Sequence, residues 1–291
     1  MSLIALQDGR NLHIEVTGPE SGMPLIFHHG TPGSVLRFTG FQQAVHQHGL
    51  RLVRYSRAGY GQSSRLPGRS IADVVPDVVA ILDHIGAARC LVAGRSGGGP
   101  HCLATAALLP ERVAGALVIA GFAPCGMADL DFVAGMGELN TELFGLALRG
   151  EDDLRPALQD HAKSLGANDS AAIMRGWRTL LPDVDRAVIS GEYAADLAAG
   201  FAEGLRPGVD GWVDDDLAFV RLWGFAVSDV TVPTFIWHGT EDLFVPYTHG
   251  EWLARNVPGA TAHLLTGEGH LSLAIGALDM MLAELVEAGQ I

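Results

Sequence analysis

Lysine is almost missing from this 291-residue chain. Lys163 stands alone among 19 basic residues, against 33 Asp and Glu, for a formal net charge of −14. A phosphate-binding face needs clustered Lys and Arg, so this balance argues against nucleic acid and against anionic membrane surfaces as partners. Cysteine is scarce as well. Cys90, Cys102 and Cys125 are odd in number and lack metal-ligand spacing, which reads as small buried hydrophobes in a reducing compartment rather than a disulfide framework. Long hydrophobic runs are absent, and the longest, 113–123, is too short to span a bilayer. The first eight residues have no basic n-region and no apolar h-region of a signal peptide. A cytoplasmic location is the expectation. No Gly-x-Gly-x-x-Gly follows the first strand and no His and Cys cluster suggests a metal, so neither a dinucleotide nor a metal cofactor is expected.

What is there is enough apolar sequence for a sizeable core, 48% against 18% charged. Residues 2–6 and 12–16 alternate as strands around Asp8-Gly9, a hairpin signal. Residues 24–28 form a continuous apolar strand, 35–48 a helix ending at Gly49, and 50–55 a fourth strand. A helix at 71–85, a strand at 90–94, a helix from about Gly98 to Leu109 and a strand at 113–120 continue the alternation. Strands apolar on both faces, alternating with helices, predict a mostly parallel sheet covered on both sides. From 123 to about 228 only helical patterns appear, such as 130–148, 171–181 and 192–205. This stretch holds 18 acids against 8 bases, a composition shift that marks an inserted helical module with a mainly solvated acidic surface. Strands at 234–237 and 262–265, with helices at 248–256 and from 271, then restore the pattern. The expected organisation is a core of residues 1–122 and 229–291 with a helical cap at 123–228.

The pattern centres on Cys90 to Pro100, an apolar run ending in Gly94-Arg95-Ser96-Gly97-Gly98 before a small-residue helix. Strand, sharp turn and helix place a serine at the tip, as in a nucleophile elbow. Glycine two before and two after the serine removes side chains that would clash across a strained turn. With 37 glycines, such a pattern arises by chance in about one chain in five, so the remaining chain must supply a base, an acid and an oxyanion hole. Two loops past later strands carry titratable residues: His238-Gly239-Thr240-Glu241-Asp242 and Gly267-Glu268-Gly269-His270. In a parallel sheet, that edge is where ligands bind, and Ser96, Asp242, His270 is the order of a triad on such a sheet.

Over nearly its whole length the chain resembles an α/β-hydrolase. The resemblance rests on His29-Gly30-Thr31-Pro32-Gly33, the Arg57-Ala58-Gly59-Tyr60-Gly61-Gln62-Ser63 loop, the elbow, the Asp242 loop and Gly269-His270. His-Gly-Thr-Pro-Gly is similar to the His-Gly-Gly-Pro-Gly of proline iminopeptidases, with threonine at the middle position. The elbow residues Arg95 and Gly97 depart from the usual peptidase elbow. The resemblance implies Ser96 as nucleophile and His270 as its base. It implies Asp242, rather than the neighbouring Glu241, as the acid that orients the histidine, and the backbone N–H groups of Thr31 and Gly97 as the oxyanion hole. Pro32 has no N–H to offer.

The expected activity is hydrolysis of an ester, less readily an amide, of a small and largely apolar substrate through an acyl-Ser96 intermediate. Phe132, Met136, Leu139, Leu143, Phe144, Trp177, Trp212, Phe219 and Trp223 are candidates for the pocket lining. Three alternatives stand beside it. They are an iminopeptidase-type aminopeptidase with a cap acid aimed at the substrate amine, a lyase or acyltransferase using the same triad, and an inactive ligand-binding protein on the same fold. His28, His29, His101 and His238 read as structural, His29 as ordering the oxyanion loop. Arg95 reads as one half of an internal ion pair, with a substrate carboxylate as the rival partner.

Overall fold

A computed structural model describes residues 1–36 and 38–289. The strands are β1 (Ser2–Ala5), β2 (Asn11–Thr17), β3 (Pro24–His28), β4 (Arg51–Tyr55), β5 (Cys90–Arg95), β6 (Val113–Ile119), β7 (Thr234–Gly239) and β8 (Thr261–Leu265). They form one sheet in the order β1-β2-β4-β3-β5-β6-β7-β8. The β1–β2 hairpin and its contact with β4 are antiparallel, and every other pairing is parallel. Hydrophobic alternation dictates the layers. Ile26, Val53, Val92, Val118 and Ile236 point into one apolar core, and Leu25, Leu52, Leu91, Leu117 and Trp237 into the other. The chain runs from β3 outward to β4 and then returns to the opposite side of β3 as β5. The carboxyl ends of β3 and β5 therefore flank the switch point, where an open parallel sheet leaves a crevice.

The helices are α1 (Thr39–Gln47), α2 (Val75–His84), α3 (Gly98–Leu108), α4 (Glu138–Arg149), α5 (Glu151–Leu165), α6 (Ser170–Gly176), α7 (Asp183–Val188), α8 (Gly191–Gly204), α9 (Asp210–Phe219), α10 (Tyr247–Asn256), α11 (Ser272–Gly276) and α12 (Leu278–Gly289). Six of them, α4 to α9, lie between β6 and β7 in the chain. They share one hydrophobic cluster with the sheet face beneath them. Their contact with that face is close, because glycine meets backbone there. A Cβ on Gly204 would lie 2.2 Å from the Gly33 carbonyl oxygen, and one on Gly211 2.8 Å from the Gly59 carbonyl carbon.

Several helix ends differ from the pattern-based expectation. The first helix starts at Thr39, not Val35, whose N–H donates to Ser56 Oγ at 2.9 Å. The segment 71–85 begins as a 3-10 turn, Ile71–Val74, and becomes α-helical at Val75, with Pro76 in the first turn where its missing N–H costs nothing. The expected 130–148 helix is helical only from Glu138. Gly135 at φ +91° and the close approach of Gly137 to the Thr179 carbonyl break the stretch before it. Helix α9, which no periodicity announced, is buried along its length from Gly211 to Phe219.

Buried histidines give the fold an acid-sensitive core. Burial pushes His28 down to about 3 and His249 to about 4 from the ordinary 6.5, and His29, His101 and His238 are lowered as well. The unfolded chain thus takes protons that the folded chain refuses. The stability tied to these groups is complete above pH 6.5 and is lost as the pH falls toward about 4. Each histidine contributes up to ~1.4 kcal/mol per pH unit inside its window. Urea midpoints should fall steeply between pH 7 and pH 5. A constant midpoint over that range would refute the account.

Candidate active site

Ser96 stands at the end of β5 with φ +54°, the left-handed region that non-glycine residues rarely occupy. Its N–H donates to the Ile119 carbonyl at 2.8 Å, which locks the turn onto β6. A Cβ on Gly94 would sit 2.2 Å from the Gly98 carbonyl oxygen, and one on Gly98 2.0 Å from that of His28. Both glycines are steric requirements of the turn.

The loop after β3 lies alongside. An added Cβ on Gly30 would lie 3.5 Å from Ser96 Cβ, and one on Gly97 2.3 Å from Thr31 Oγ1. Among the described residues, neither the Thr31 nor the Gly97 N–H has a protein acceptor. Helix α3 begins immediately after Gly97, so its N-terminal partial charge also favours an anion here. His29 orders this loop as expected: Nδ1 donates to the Gly30 carbonyl at 2.7 Å, and Nε2 accepts the Arg57 N–H at 3.0 Å.

His270 lines the same cavity as Ser96 and Thr31. Its Nδ1 donates to Asp242 Oδ2 at 2.7 Å, which leaves Nε2 as the nitrogen available to a nucleophile. Asp242 Oδ1 accepts the N–H groups of Phe244 at 2.8 Å and Val245 at 2.9 Å. Asp242 is buried and Glu241 is exposed, so the acid beside His270 is Asp242. The Phe244 ring stacks on His270 at 4.7 Å between centroids. The five residues that the resemblance singles out, Ser96, Asp242, His270, Thr31 and Gly97, are gathered at one sheet edge.

Two acids in the inserted helices were not foreseen. Asp185 of α7 accepts the N–H groups of His270 at 2.8 Å, Leu271 at 2.8 Å and Ser272 at 2.9 Å. A Cβ on Gly269 would lie 2.4 Å from Asp185 Oδ1, so glycine before the histidine makes room for the clasp. Asp185→Ala strands three buried N–H groups, each worth roughly 1–3 kcal/mol when unsatisfied. The expected result is a kcat lowered at least ~10-fold with KM little changed, as in a misplaced base. A variant with wild-type kcat would leave Asp185 without a part in placing His270.

Asp215 of α9 is fully buried. It meets Arg57 at 2.6 Å and Arg69 at 2.7 Å, and accepts the hydroxyls of Tyr60 at 2.8 Å and Thr31 at 2.6 Å. Burial alone would raise its carboxyl, but the two guanidinium groups hold it well below the usual carboxylate range. Arg57 also donates to Thr31 Oγ1 at 3.0 Å and to the His29 carbonyl. The loop that carries Thr31 is thus tied to α9 through one buried charge cluster. The expectation of a mainly solvated acidic insertion fails at Asp185, Asp214, Asp215 and Asp216, all buried. A hint lay in the sequence: three aspartates between Val213 and Leu217-Ala218-Phe219 cannot all reach water from a helix that is apolar on either side.

Arg95 also departs from expectation. Among the described residues it has no carboxylate partner. It lies 5.8 Å from the Phe38 ring centroid and donates to the Tyr193 hydroxyl at 3.3 Å. Of the expected lining residues, Leu139, Leu143, Phe144, Trp177, Trp212 and Phe219 face cavities that also contain Ser96. Phe132 packs against Phe122 and Phe144 instead, and Trp223 against Phe225. Among the described residues, no cluster could hold a metal and no helix is long and apolar enough to cross a membrane.

Comparison with known proteins matches residues 23–277 to the alpha/beta hydrolase fold family. The chain belongs to that family. As an α/β-hydrolase it is 24% identical over 250 residues to a non-heme chloroperoxidase of Streptomyces lividans, covering 85% of this chain and 84% of the relative. It is likewise 24% identical, over the same shares of the two chains, to a bifunctional esterase/perhydrolase of Acinetobacter calcoaceticus. The enol-lactonase structure from Burkholderia xenovorans superposes with a TM-score of 0.70 at 20% identity, covering 100% of both chains. This α/β-hydrolase is a hydrolase with esterase-like relatives. These relatives do not point specifically to the iminopeptidase branch.

Proposed function

We propose that the protein is a carboxylic ester hydrolase working through an acyl-Ser96 intermediate. One observation carries the reading: a serine at positive φ shares a cavity with a histidine whose far nitrogen is bound to a buried carboxylate. In this mechanism His270 takes the Ser96 proton as Oγ attacks the ester carbonyl, and Asp242 stabilises the imidazolium that forms. The unclaimed N–H groups of Thr31 and Gly97 receive the oxyanion. His270 then protonates the departing alcohol, and water, deprotonated by the same histidine, releases the acid.

Two cavities meet at Ser96, and they differ in one decisive residue. His270 lines the cavity bounded by Leu36, Phe38, Leu197 and Phe201, but not the one bounded by Phe122, Leu143, Phe144, Trp212 and Phe219. The leaving alcohol must lie within reach of His270, which assigns it to the first cavity and the acyl chain to the second. In this reading the inserted helices at 123–228 act as a cap that encloses the acyl chain and sets specificity. The natural substrate is then a small, largely apolar molecule.

Hydrolysis of p-nitrophenyl esters across acyl chain lengths, with Ser96→Ala as control, tests the reading. Turnover of aminoacyl anilides without esterase activity would replace it with an aminopeptidase. The names of the relatives favour a second acceptor. Hydrogen peroxide attacking the acyl-Ser96 in place of water would yield a peracid and the free serine, and peracid assays with added peroxide check for it.

A further inference from the structure

Among the described residues Asp216 is the one acid in the wall of the proposed acyl cavity, and it is 4% exposed. It adjoins Asp215 in α9, but the two have opposite surroundings. Asp215 has two guanidinium partners, whereas Asp216 has no cation among the described residues. Its hydrogen-bond neighbour is the indole of Trp212, a group that can only donate. The rest of the cavity wall is largely aromatic and aliphatic. Asn140 also lines it, with its Nδ2 committed to the Phe244 carbonyl at 3.0 Å.

An ionised carboxylate in such a place would be a buried charge without a partner, which proteins avoid. Burial, and then the neighbouring charge of Asp215, push the Asp216 carboxyl well above the ordinary range. Burial without a cation partner therefore favours the neutral acid. One of its oxygens can accept from Trp212. Apart from Trp212 its carboxyl has no hydrogen-bond partner among the described residues, and it borders a cavity that also holds Ser96, so an O–H there would lack an acceptor. A buried donor left without an acceptor costs free energy until something supplies one.

We propose that Asp216 is a specificity residue that donates a hydrogen bond to a neutral oxygen on the substrate's acyl chain, such as a ketone, ether or hydroxyl. The proposal rests on the ester-hydrolase reading and on the placement of the acyl chain beside Phe122, Phe144 and Trp212. The natural acyl group would then be an oxygenated short chain rather than a plain fatty one.

The test compares three p-nitrophenyl esters of similar length: pentanoate, 4-oxopentanoate and 4-(trimethylammonio)butanoate, whose quaternary ammonium carries the charge but cannot attack its own ester. Each kcat/KM is divided by the ester's spontaneous hydrolysis rate. The wild type should favour the keto ester over the pentanoate by about tenfold, the scale of one hydrogen bond. Asp216→Asn keeps an N–H donor and should retain most of that ratio, while Asp216→Leu should bring it to about one. Thermal melts establish that both variants are folded. A wild-type ratio of one, or a ratio that survives in Asp216→Leu, overturns the proposal. So does a preference for the ammonium ester that Asp216→Asn abolishes, because that outcome requires an ionised carboxylate. Ser96-dependent turnover of the pentanoate alone upholds the ester-hydrolase reading while this inference fails. Absence of Ser96-dependent turnover of every ester removes both.

Discussion

Ser96→Ala is expected to lower ester hydrolysis by roughly 10⁴–10⁶-fold while the protein stays folded. In the proposed mechanism the Oγ is the atom that bonds to the acyl carbon. A water in its place would lack both the fixed position at the strand end and the covalent step. Residual activity should come from the unclaimed N–H groups of Thr31 and Gly97 and from substrate binding. Stability should hardly change, because alanine meets the same steric cost as serine at φ +54°. The measurement is kcat/KM on the best p-nitrophenyl ester, together with labelling by a fluorophosphonate probe. Labelling should be complete in the wild type and absent in the variant. A variant within tenfold of wild type, or one that still labels, would remove Ser96 from the chemistry. A wild type that never labels would favour the inactive binding protein.

Asp215→Asn should produce a large loss of stability. The side chain keeps its shape but loses the charge that two buried guanidinium groups share at 2.6 Å and 2.7 Å. Breaking a buried ion pair from one side typically costs about 3–5 kcal/mol, because the remaining charge has no water to turn to. For a chain of this size, that corresponds to a melting temperature lower by about 10 °C. Activity should fall as well. Thr31 Oγ1 donates to Asp215 at 2.6 Å, so the loop that carries an oxyanion donor loses its anchor on α9. The drop should appear in kcat more than in KM, since the oxyanion forms only in the transition state. Replacing Arg57, Arg69 and Asp215 together with apolar residues should restore part of the stability and none of the loop placement. Urea unfolding and steady-state kinetics on the same preparations separate the two effects. An Asp215→Asn protein that melts with the wild type would mean the cluster is solvated, contrary to its burial.

Asp215 and Asp185 also mark where local sequence stops being informative. Gly94, Ser96 and Gly98 lie within five residues, so the steric demand of the turn is written in the spacing itself. The parallel strands are equally legible, because burial on both faces imposes a continuous apolar run. Asp185 lies 85 residues from His270, and its task depends on a loop that Gly269 opens for it. No local pattern carries that relation. The aspartates of the insertion look alike as letters, yet Asp160 is exposed, Asp215 is ion-paired and Asp216 is buried with no cation among the described residues.

The sequence by itself determined the alternation of strands and helices, the strained serine turn, and the chain order of the serine, the acid and the histidine. These rest on periodicity and backbone sterics, which act over a few residues. Tertiary structure alone decided that the histidine loop is held by a carboxylate of α7 and that the oxyanion loop is tied to a charge cluster on α9. It also decided that Arg95 meets the Tyr193 hydroxyl and no acid among the described residues. Whether a charged group is solvated, paired or buried depends on what the rest of the chain packs against it. That electrostatic environment comes into being only when distant segments exclude water together.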